Sequence, residues 1–558
     1  MDKIEVRFEE KVSEIEAFST VSYALSSFGS MESTSKYDYL ANPIVGALVN
    51  GEACPLSKRL ACSSTIEPIH VFDPLGRRIY RHSLCFLLSL SSEMCYPERN
   101  LVIGHSLGDG YYFSYDDDSP VTDEEADTIQ RKMLSLVSEA REIEFRALSG
   151  EDAVATFRTL GRKDTVLLLE SLNDAVSYIY RLNGYAQVSY EPLVPNTSVL
   201  SVFELRKYGE KGFLLRYPVS TSIREIVELR DNPLLFRVFE EYKAWGRILG
   251  VRSLGEMNAL NISGGMSEYI KLSEDLHRRK IASIADAISE KGARIVFVAG
   301  PSSSGKTTFA KRLCEQLKLL GYEPFKLSLD DYYNPPSQAP RDENGEPDLE
   351  ALEALNVELI DRNMADLVEG RSVCLPSYDF NTHLTTFSPV PVKMGEKTII
   401  VVEGIHALNR KITSCIDEKY VYRVYISALT QLNLDDANRV STSDNRLLRR
   451  LLRDYRSRGM SAERTLHIWP SVTRGETRHI FPNQNNADVM FNSALDYELA
   501  VLTPYVRPLL RSVKKEEGEA YTLARRLLAF IENVYPVSSV YVPSDSLLRE
   551  FIGQSDYE

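Results

Sequence analysis

No apolar run in this chain of 558 residues approaches the ~18–20 residues that span a bilayer, so no membrane association is expected. The opening stretch MDKIEVRFEEKVSEIE lacks the basic-then-apolar plan of a secretory signal. Cysteine is scarce: the seven present form no C-x-x-C pair and are an odd number, which reads as reduced thiols rather than a disulfide framework. Positive charge is in deficit. Lys and Arg number 65 against 79 Asp and Glu, a formal net charge of −14. That balance argues against a wholesale nucleic-acid binder, while leaving room for a local basic patch that holds phosphate. Fixed-period repeats and low-complexity segments are missing too. Together these absences predict a cytoplasmic, globular protein.

The hydrophobic content of 43% and charged content of 26% are ordinary for such a protein. The length exceeds what one hydrophobic core supports, so two to four domains are expected. Residues 1–72 alternate in short segments such as KIEVRF and PIHVFD with a helical stretch between them, which predicts a small α+β module. From Asp73 the pattern becomes a turn followed by an amphipathic helix. Thr122 then stands as N-cap with Glu125 at capping-box spacing. Strand-like runs SVLSVFELR and KGFLLRYP close this second unit, assigned to residues 73–225. Residues 226–290 read as a helical connector whose last helix ends at Gly292, a fitting C-cap. Residues 291–540 open with the strand RIVFVAG and alternate helix with strand, as in an α/β parallel sheet. Residues 541–558 are left as a C-terminal tail.

Gly300 to Thr308, GPSSSGKTT, fits G-x-x-x-x-G-K-[ST] between a β run and a helical run, the context a P-loop requires. Such a loop curls backbone N–H groups around phosphate oxygens at the positive end of a helix. The ATP-binding set is therefore Gly300, Ser302, Ser303, Ser304, Gly305, Lys306, Thr307 and Thr308. Lys306 would hold the terminal phosphates and Thr307 would ligate Mg²⁺. FKLSLDDYYN follows, a strand pattern ending in two carboxylates. A carboxylate there can take the proton of an attacking hydroxyl, and Asp330 is favoured over Asp331. KTIIVVEGIHAL delivers Glu403 to the end of an apolar run, where an acid would hold Mg²⁺. In DNRLLRRLLRDYRSRG, Arg446, Arg449, Arg450, Arg453 and Arg456 share one helical face opposite the leucines and Tyr455. Arginines without lysine suggest bidentate phosphate binding by a mobile lid.

GPSSSGKTT, LDDYY, YDFNTH, VVEGIHAL and RLLRRLLRDYRSRG, in that order across about 294–510, resemble the uridine–cytidine kinases, relatives of phosphoribulokinase. The resemblance implies transfer of the γ-phosphate of Mg·ATP to the 5′-hydroxyl of uridine or cytidine. It implies Asp330 as catalytic carboxylate and metal neighbour, with Thr307 and Glu403 completing the Mg²⁺ set. It also implies Lys306, Arg449 and Arg453 as catalytic cations, Tyr378 and His383 as the base pocket, and Arg449 and Arg458 as substrate contacts. The F-D-H-P-like segment of those kinases, whose Asp binds ribose, is replaced here by PDLEALEALNVELI, which offers Asp348 or Glu350. A homo-oligomer is expected.

The front half resembles threonyl-tRNA synthetases. Residues 1–72 are similar to their ubiquitin-like TGS domain. Residues 73–225 are similar to their second domain, through RHSLCFLL, LVIGHSLGDGYYFSYD and YEPLVPNTSVLSVFEL. The metal-capable positions of that domain correspond here to His82, Phe86, Ser189 and Leu193. Only the first keeps its ligand, which speaks against editing hydrolysis and makes His82 a structural histidine. RNA or tRNA contact through this half remains an expectation of the resemblance. Three functions follow: a nucleoside kinase with an appended front half, a kinase for another alcohol or sugar, or an ATP-switched RNA-binding protein.

Overall fold

The computed structural model describes residues 2–29, 38–219, 222–229, 231–341, 345, 347–379, 382–413 and 416–557. Phe380, named with Tyr378 as a candidate ring face, lies outside the described residues, as does Cys415. The six described cysteines are all free.

The first module is a five-stranded sheet. Strands β1 (Lys3–Phe8), β2 (Lys11–Glu16), β3 (Ile44–Val49), β4 (Glu52–Cys54) and β5 (Ser64–His70) run in the order β2-β1-β5-β3-β4. Only β1 and β5 are parallel. Helix α1 (Val21–Ser26) covers the sheet through Val21, Ala24 and Leu25.

The second module is built on α2 (Pro74–Cys95), whose centre, from Ser83 to Ser92, is buried throughout. It packs against β6 (Leu101–Leu107) and β7 (Gly110–Tyr115), then α3 (Asp123–Ser138). The capping box of α3 forms: Thr122 Oγ1 accepts from Glu125 N at 3.1 Å, and Glu125 Oε2 from Thr122 N at 2.6 Å. Next come β8 (Glu144–Ser149), α4 (Gly150–Thr159), α5 (Lys163–Leu172), β9 (Val176–Leu182), β10 (Tyr185–Val188), β11 (Glu204–Tyr208) and β12 (Gly212–Arg216). They make one sheet of order β11-β12-β7-β6 and another of order β10-β9-β8. The run SVLSVFELR is strand only from Glu204 onward. Asn196 receives Ser198 N on its side chain, and this starts a single 3₁₀ turn over Thr197–Val199 in place of strand pairing.

Helices α6 (Pro233–Leu249), α7 (Leu254–Ile262) and α8 (Met266–Lys291) follow, and Gly292 closes α8 at φ +68°. They do not behave as a spacer. Ile281, Ile284 and Ile288 of α8 enter the same core as Val296, Val298 and Phe309.

The third module holds β13 (Ile295–Ala299), α9 (Lys306–Leu319), β14 (Glu323–Ser328), α10 (Val357–Val368), the hairpin β15 (Pro376–Asp379) and β16 (Leu384–Phe387), then β17 (Thr398–Glu403), α11 (Arg410–Thr413) and β18 (Val421–Ser427). It continues through β19 (Asn433–Asp435), β20 (Asn438–Arg439), α12 (Thr442–Ser457), α13 (Ala462–Gly475), β21 (Val489–Asn492), α14 (Glu498–Ser512), α15 (Glu519–Ile531) and α16 (Arg549–Ile552). Its sheet, ordered β14-β17-β13-β18-β21, is parallel at every pairing. β13, β17 and β18 are buried along their whole length, as a sheet covered by helices on both faces requires. The expected tail over 541–558 is instead packed: Leu547, Leu548 and Phe551 are fully buried and belong to the cores of this module.

The modules touch through buried charge. Arg78 and His82 of α2 meet Glu191, and Arg78 reaches Asp444 at the start of α12, which Arg526 of α15 grips with two bonds of 2.7 Å. Phe86 lies in the apolar core of the second module, together with Leu193. Burial pushes the Glu191 carboxyl up, but Arg78 outweighs it and holds the group down at about 2. A depressed carboxylate stabilises the fold fully above its unfolded value near 4.5, and loses that contribution as pH falls toward 2. Glu191→Gln is therefore expected to lower the unfolding temperature at pH 7. It should also flatten the loss of stability between pH 4.5 and 3, as read by circular dichroism melts across pH.

Candidate active site

In the parallel sheet, Glu403 pairs in register with Val298 on one side and Ser328 on the other. Three neighbouring strands thus end level. β13 releases the P-loop there, β17 ends on Glu403, and β14 releases the turn carrying Asp330. Ligands of open parallel sheets bind at these carboxyl ends.

The P-loop needs its glycines for two reasons. A Cβ on Gly300 would stand 2.1 Å from the Ile426 carbonyl oxygen of β18, so no side chain fits. Gly305 lies at φ +82°, and Ser303 also takes a left-handed φ of +58°, which is what turns the loop into the first turn of α9. Thr307 Oγ1 donates to Glu403 Oε1 at 3.2 Å, and Lys326 Nζ and Ser328 Oγ reach the same oxygen at 3.3 Å. Lys306 Nζ donates to the Pro301 carbonyl at 3.0 Å. Burial lowers the proton affinity of Lys306, while Glu403 and Asp330 pull it back up.

Ser328 caps the short turn Leu329–Tyr332 by receiving Asp330 N at 3.3 Å. Burial and the charge of Glu403 push the Asp330 carboxyl up, against Lys306, Arg458 and Arg453. Its neighbour Asp331 faces elsewhere and accepts Tyr378 N at 3.3 Å. That bond ties the β15–β16 hairpin to the end of β14, beside Asp330. Within the hairpin the Tyr378 hydroxyl and His383 Nδ1 are hydrogen-bonded at 3.1 Å. Tyr378 is buried, while His383 is exposed at φ +57°.

Of the two acids offered for the acceptor, Glu350 faces the P-loop. Its Oε2 is buried without a hydrogen-bond partner among the described residues. Burial, then the nearby Glu476, push its carboxyl up to about 7, with Arg450 and Lys306 opposing. Gly475 leaves the room it needs, since a Cβ there would lie 2.5 Å from Glu350 Cβ. Asp348 turns instead to His479 Nε2 at 3.4 Å and accepts Glu350 N at 3.1 Å.

The arginine helix departs most from expectation. Both faces of α12 are buried over Asp444–Leu452, so it is not a mobile lid. Arg446 Nε donates to Ser302 O at 3.0 Å and pairs with Glu476, which also receives Ser302 N at 2.8 Å. Arg450 reaches Ser302 Oγ at 2.8 Å. Arg449, expected as a catalytic and substrate-contacting cation, is corrected: it is 0% exposed, paired with Glu498 and bonded to Ser493 O at 2.8 Å. A guanidinium so enclosed cannot meet a substrate. Arg453 and Arg458 do stand at the site, gathered with Arg450 around the buried Asp454. Sequence reading missed Asp454, Glu476 and Glu498. The signal was indirect: arginines on a helix face that is buried demand counter-charges.

Mg²⁺ fits this donor set in a particular way. Thr307 and Glu403 are in contact, yet among the described residues no group of three His, Cys, Asp or Glu could cage a metal. An ion held by one or two protein oxygens, with phosphate and water completing its shell, is the usual arrangement for Mg²⁺.

Residues 295–500 match the sequence model of the Phosphoribulokinase / Uridine kinase family. A uridine kinase of Staphylococcus aureus (strain JH9) is 29% identical over 212 residues, which cover 38% of this chain and 93% of that protein. The N-terminal part is similar to threonine–tRNA ligases. That of Pelobacter propionicus is 28% identical over 218 residues, 38% of this chain and 34% of the ligase, and that of Methylococcus capsulatus 29% over 169 residues, 30% and 26%. The chain thus spans about a third or less of the length of these ligases. Among solved structures, a possible uridine kinase from Bacillus stearothermophilus is 18% identical with a TM-score of 0.26, over 38% of this chain and 98% of that one.

Arg449→Ala would leave Glu498 buried and unpaired, a loss of about 3–5 kcal/mol. Arg453→Ala, at the rim, is expected to change stability by about 1 kcal/mol or less. Urea unfolding midpoints of the two variants check the contrast.

Proposed function

We propose that this protein is an ATP-dependent nucleoside kinase acting on the 5′-hydroxyl of uridine or cytidine, in pyrimidine salvage. The observation that carries the reading is the strand register that brings the P-loop, Glu403 and Asp330 to one edge, with the Tyr378–His383 hairpin tied beside them through Asp331. The family match over residues 295–500 and the similarity to a uridine kinase support it.

The acceptor hydroxyl gives its proton to an Asp330 oxygen. Burial and the neighbouring Glu403 make this carboxylate a stronger base than an exposed one, while Lys306, Arg458 and Arg453 oppose the rise. Lys306, released from Pro301, draws the terminal phosphates, and Arg453 and Arg458 screen the transferring group. The Thr307 hydroxyl and Glu403, with Asp330 close by, would hold Mg²⁺ against the phosphates, where it would neutralise their charge. Glu350 Oε2 takes a hydroxyl of the acceptor sugar, and Tyr378 and His383 read the base edge.

A second reading concerns residues 1–225, where the similarity to threonine–tRNA ligases favours an RNA contact that regulates or localises the kinase. Phe86, Ser189 and Leu193, with only His82 kept, leave it without the ligand pairs for metal-dependent hydrolysis.

With Mg·ATP and a panel of nucleosides, uridine or cytidine should stimulate ADP release. Turnover no higher with any nucleoside than without one would overturn the assignment. Asp330→Asn is expected to reduce kcat by at least ~10²-fold with ATP affinity retained. In the parent enzyme, activity should rise with pH through an acid limb lying above 3.8, because the base must be ionised and its proton affinity is raised. Tyr378→Phe and His383→Ala should raise nucleoside KM and blur the choice of base, with the KM for ATP unchanged.

A further inference from the structure

The C-terminal segment carries an acid into the P-loop. Glu550 Oε2, on α16, accepts from Thr308 Oγ1 at 2.8 Å and from Thr308 N at 3.4 Å. Thr308 lies in the first turn of α9, a helix of 14 residues. The N–H groups of that turn are the ones a P-loop offers to a polyphosphate. A carboxylate resting on them satisfies the same donors with the same sign of charge.

The segment is seated there by its own packing. Leu547 enters the core beneath α9, and Leu548, Phe551 and Ile552 enter the one beside α12. Arg456 donates to the Phe551 carbonyl at 3.2 Å, and the Tyr557 hydroxyl donates to Glu315 Oε2 at 2.7 Å on the flank of α9. Arg549 binds the carbonyls of Ser539, Pro543 and Gly553 and so closes the segment on itself. Lys306 completes the picture, bonded inward to Pro301 O rather than facing an open cradle.

We propose that Glu550 is a built-in competitor of the nucleotide: it holds the Thr308 donors shut, and a nucleoside triphosphate binds by displacing its carboxylate from them. This rests on the P-loop being the nucleotide site. A carboxylate and a phosphate cannot share one pair of donors, because like charges at that range exclude each other. Nucleotide occupancy is thereby relayed to α16, and through Arg456 to α12.

The test is the dissociation constant of Mg·ATP by titration calorimetry for the full chain, Glu550→Gln and Glu550→Ala. Removing a charged competitor from two donors is expected to tighten ATP roughly tenfold, in both variants. Hydrogen exchange across residues 545–556 of the parent protein is the second measurement, independent of any effect of the substitutions on folding. ATP should speed exchange there. Equal or weaker ATP affinity in both variants, or exchange that ATP slows or leaves unchanged, would overturn the proposal alone. ATP bound by none of the three proteins would overturn the nucleotide-site reading and this proposal with it.

Discussion

The P-loop of this protein is held from behind by buried arginines, and the rest of the site depends on that. Arg446 and Arg449 bond the carbonyls of Ser302 and Ser303, while Glu476 and Glu498 answer their charge from α13's end and the start of α14. A buried ion pair gains little net stability over an apolar pair, but removing one partner is costly. The arrangement therefore fixes the loop's curvature. Glu476 does this doubly, since it also receives the Ser302 N–H. The loop is shaped by the protein before any phosphate arrives.

The same helix joins the site to the front half. Asp444 in the first turn of α12 is gripped by Arg526 and Arg78, and Arg78 is shared with Glu191. Burial would push the Asp444 carboxyl up, but the two guanidiniums hold it well below the usual carboxylate range. From Glu191 in the second module to Ser302 in the P-loop, the contacts are ionic or hydrogen-bonded along one rigid helix. Other hydrogen bonds run beside them, with Ile103 N donating to Asp436 O at 2.9 Å and the Asn433 side-chain Nδ2 to Ile103 O at 2.7 Å. The synthetase-like module is thus docked on the kinase-like one as part of a continuous structure. Phe86 and Leu193 fill the core of that module.

Much of the site was legible because its chemistry is local in sequence. A P-loop needs glycine where a Cβ would strike β18 and where φ is positive, followed at once by Lys-Thr, and those demands fall on nine consecutive residues. Apolar runs ending in an acid give Asp330 and Glu403 for the same reason: the end of a buried strand is a fixed place in a parallel sheet. The capping box at Thr122 and the Gly292 C-cap are likewise contained within a few residues, and both form.

What failed to show in the sequence depends on partners far along the chain. The arginine face of α12 looks the same whether it meets phosphate or buried carboxylates, and Glu476, Glu498 and Asp454 are brought to it only by packing. Whether Asp348 or Glu350 faces the site turns on Gly475, more than a hundred residues away. The last residues read as a tail because their few apolar side chains show no period, yet they enter two cores. The sequence by itself determined the strand ends and the phosphate loop, whose geometry is paid for locally by residue type. The tertiary structure alone decided which charges reach solvent and which become struts, because burial is a property of the assembled chain.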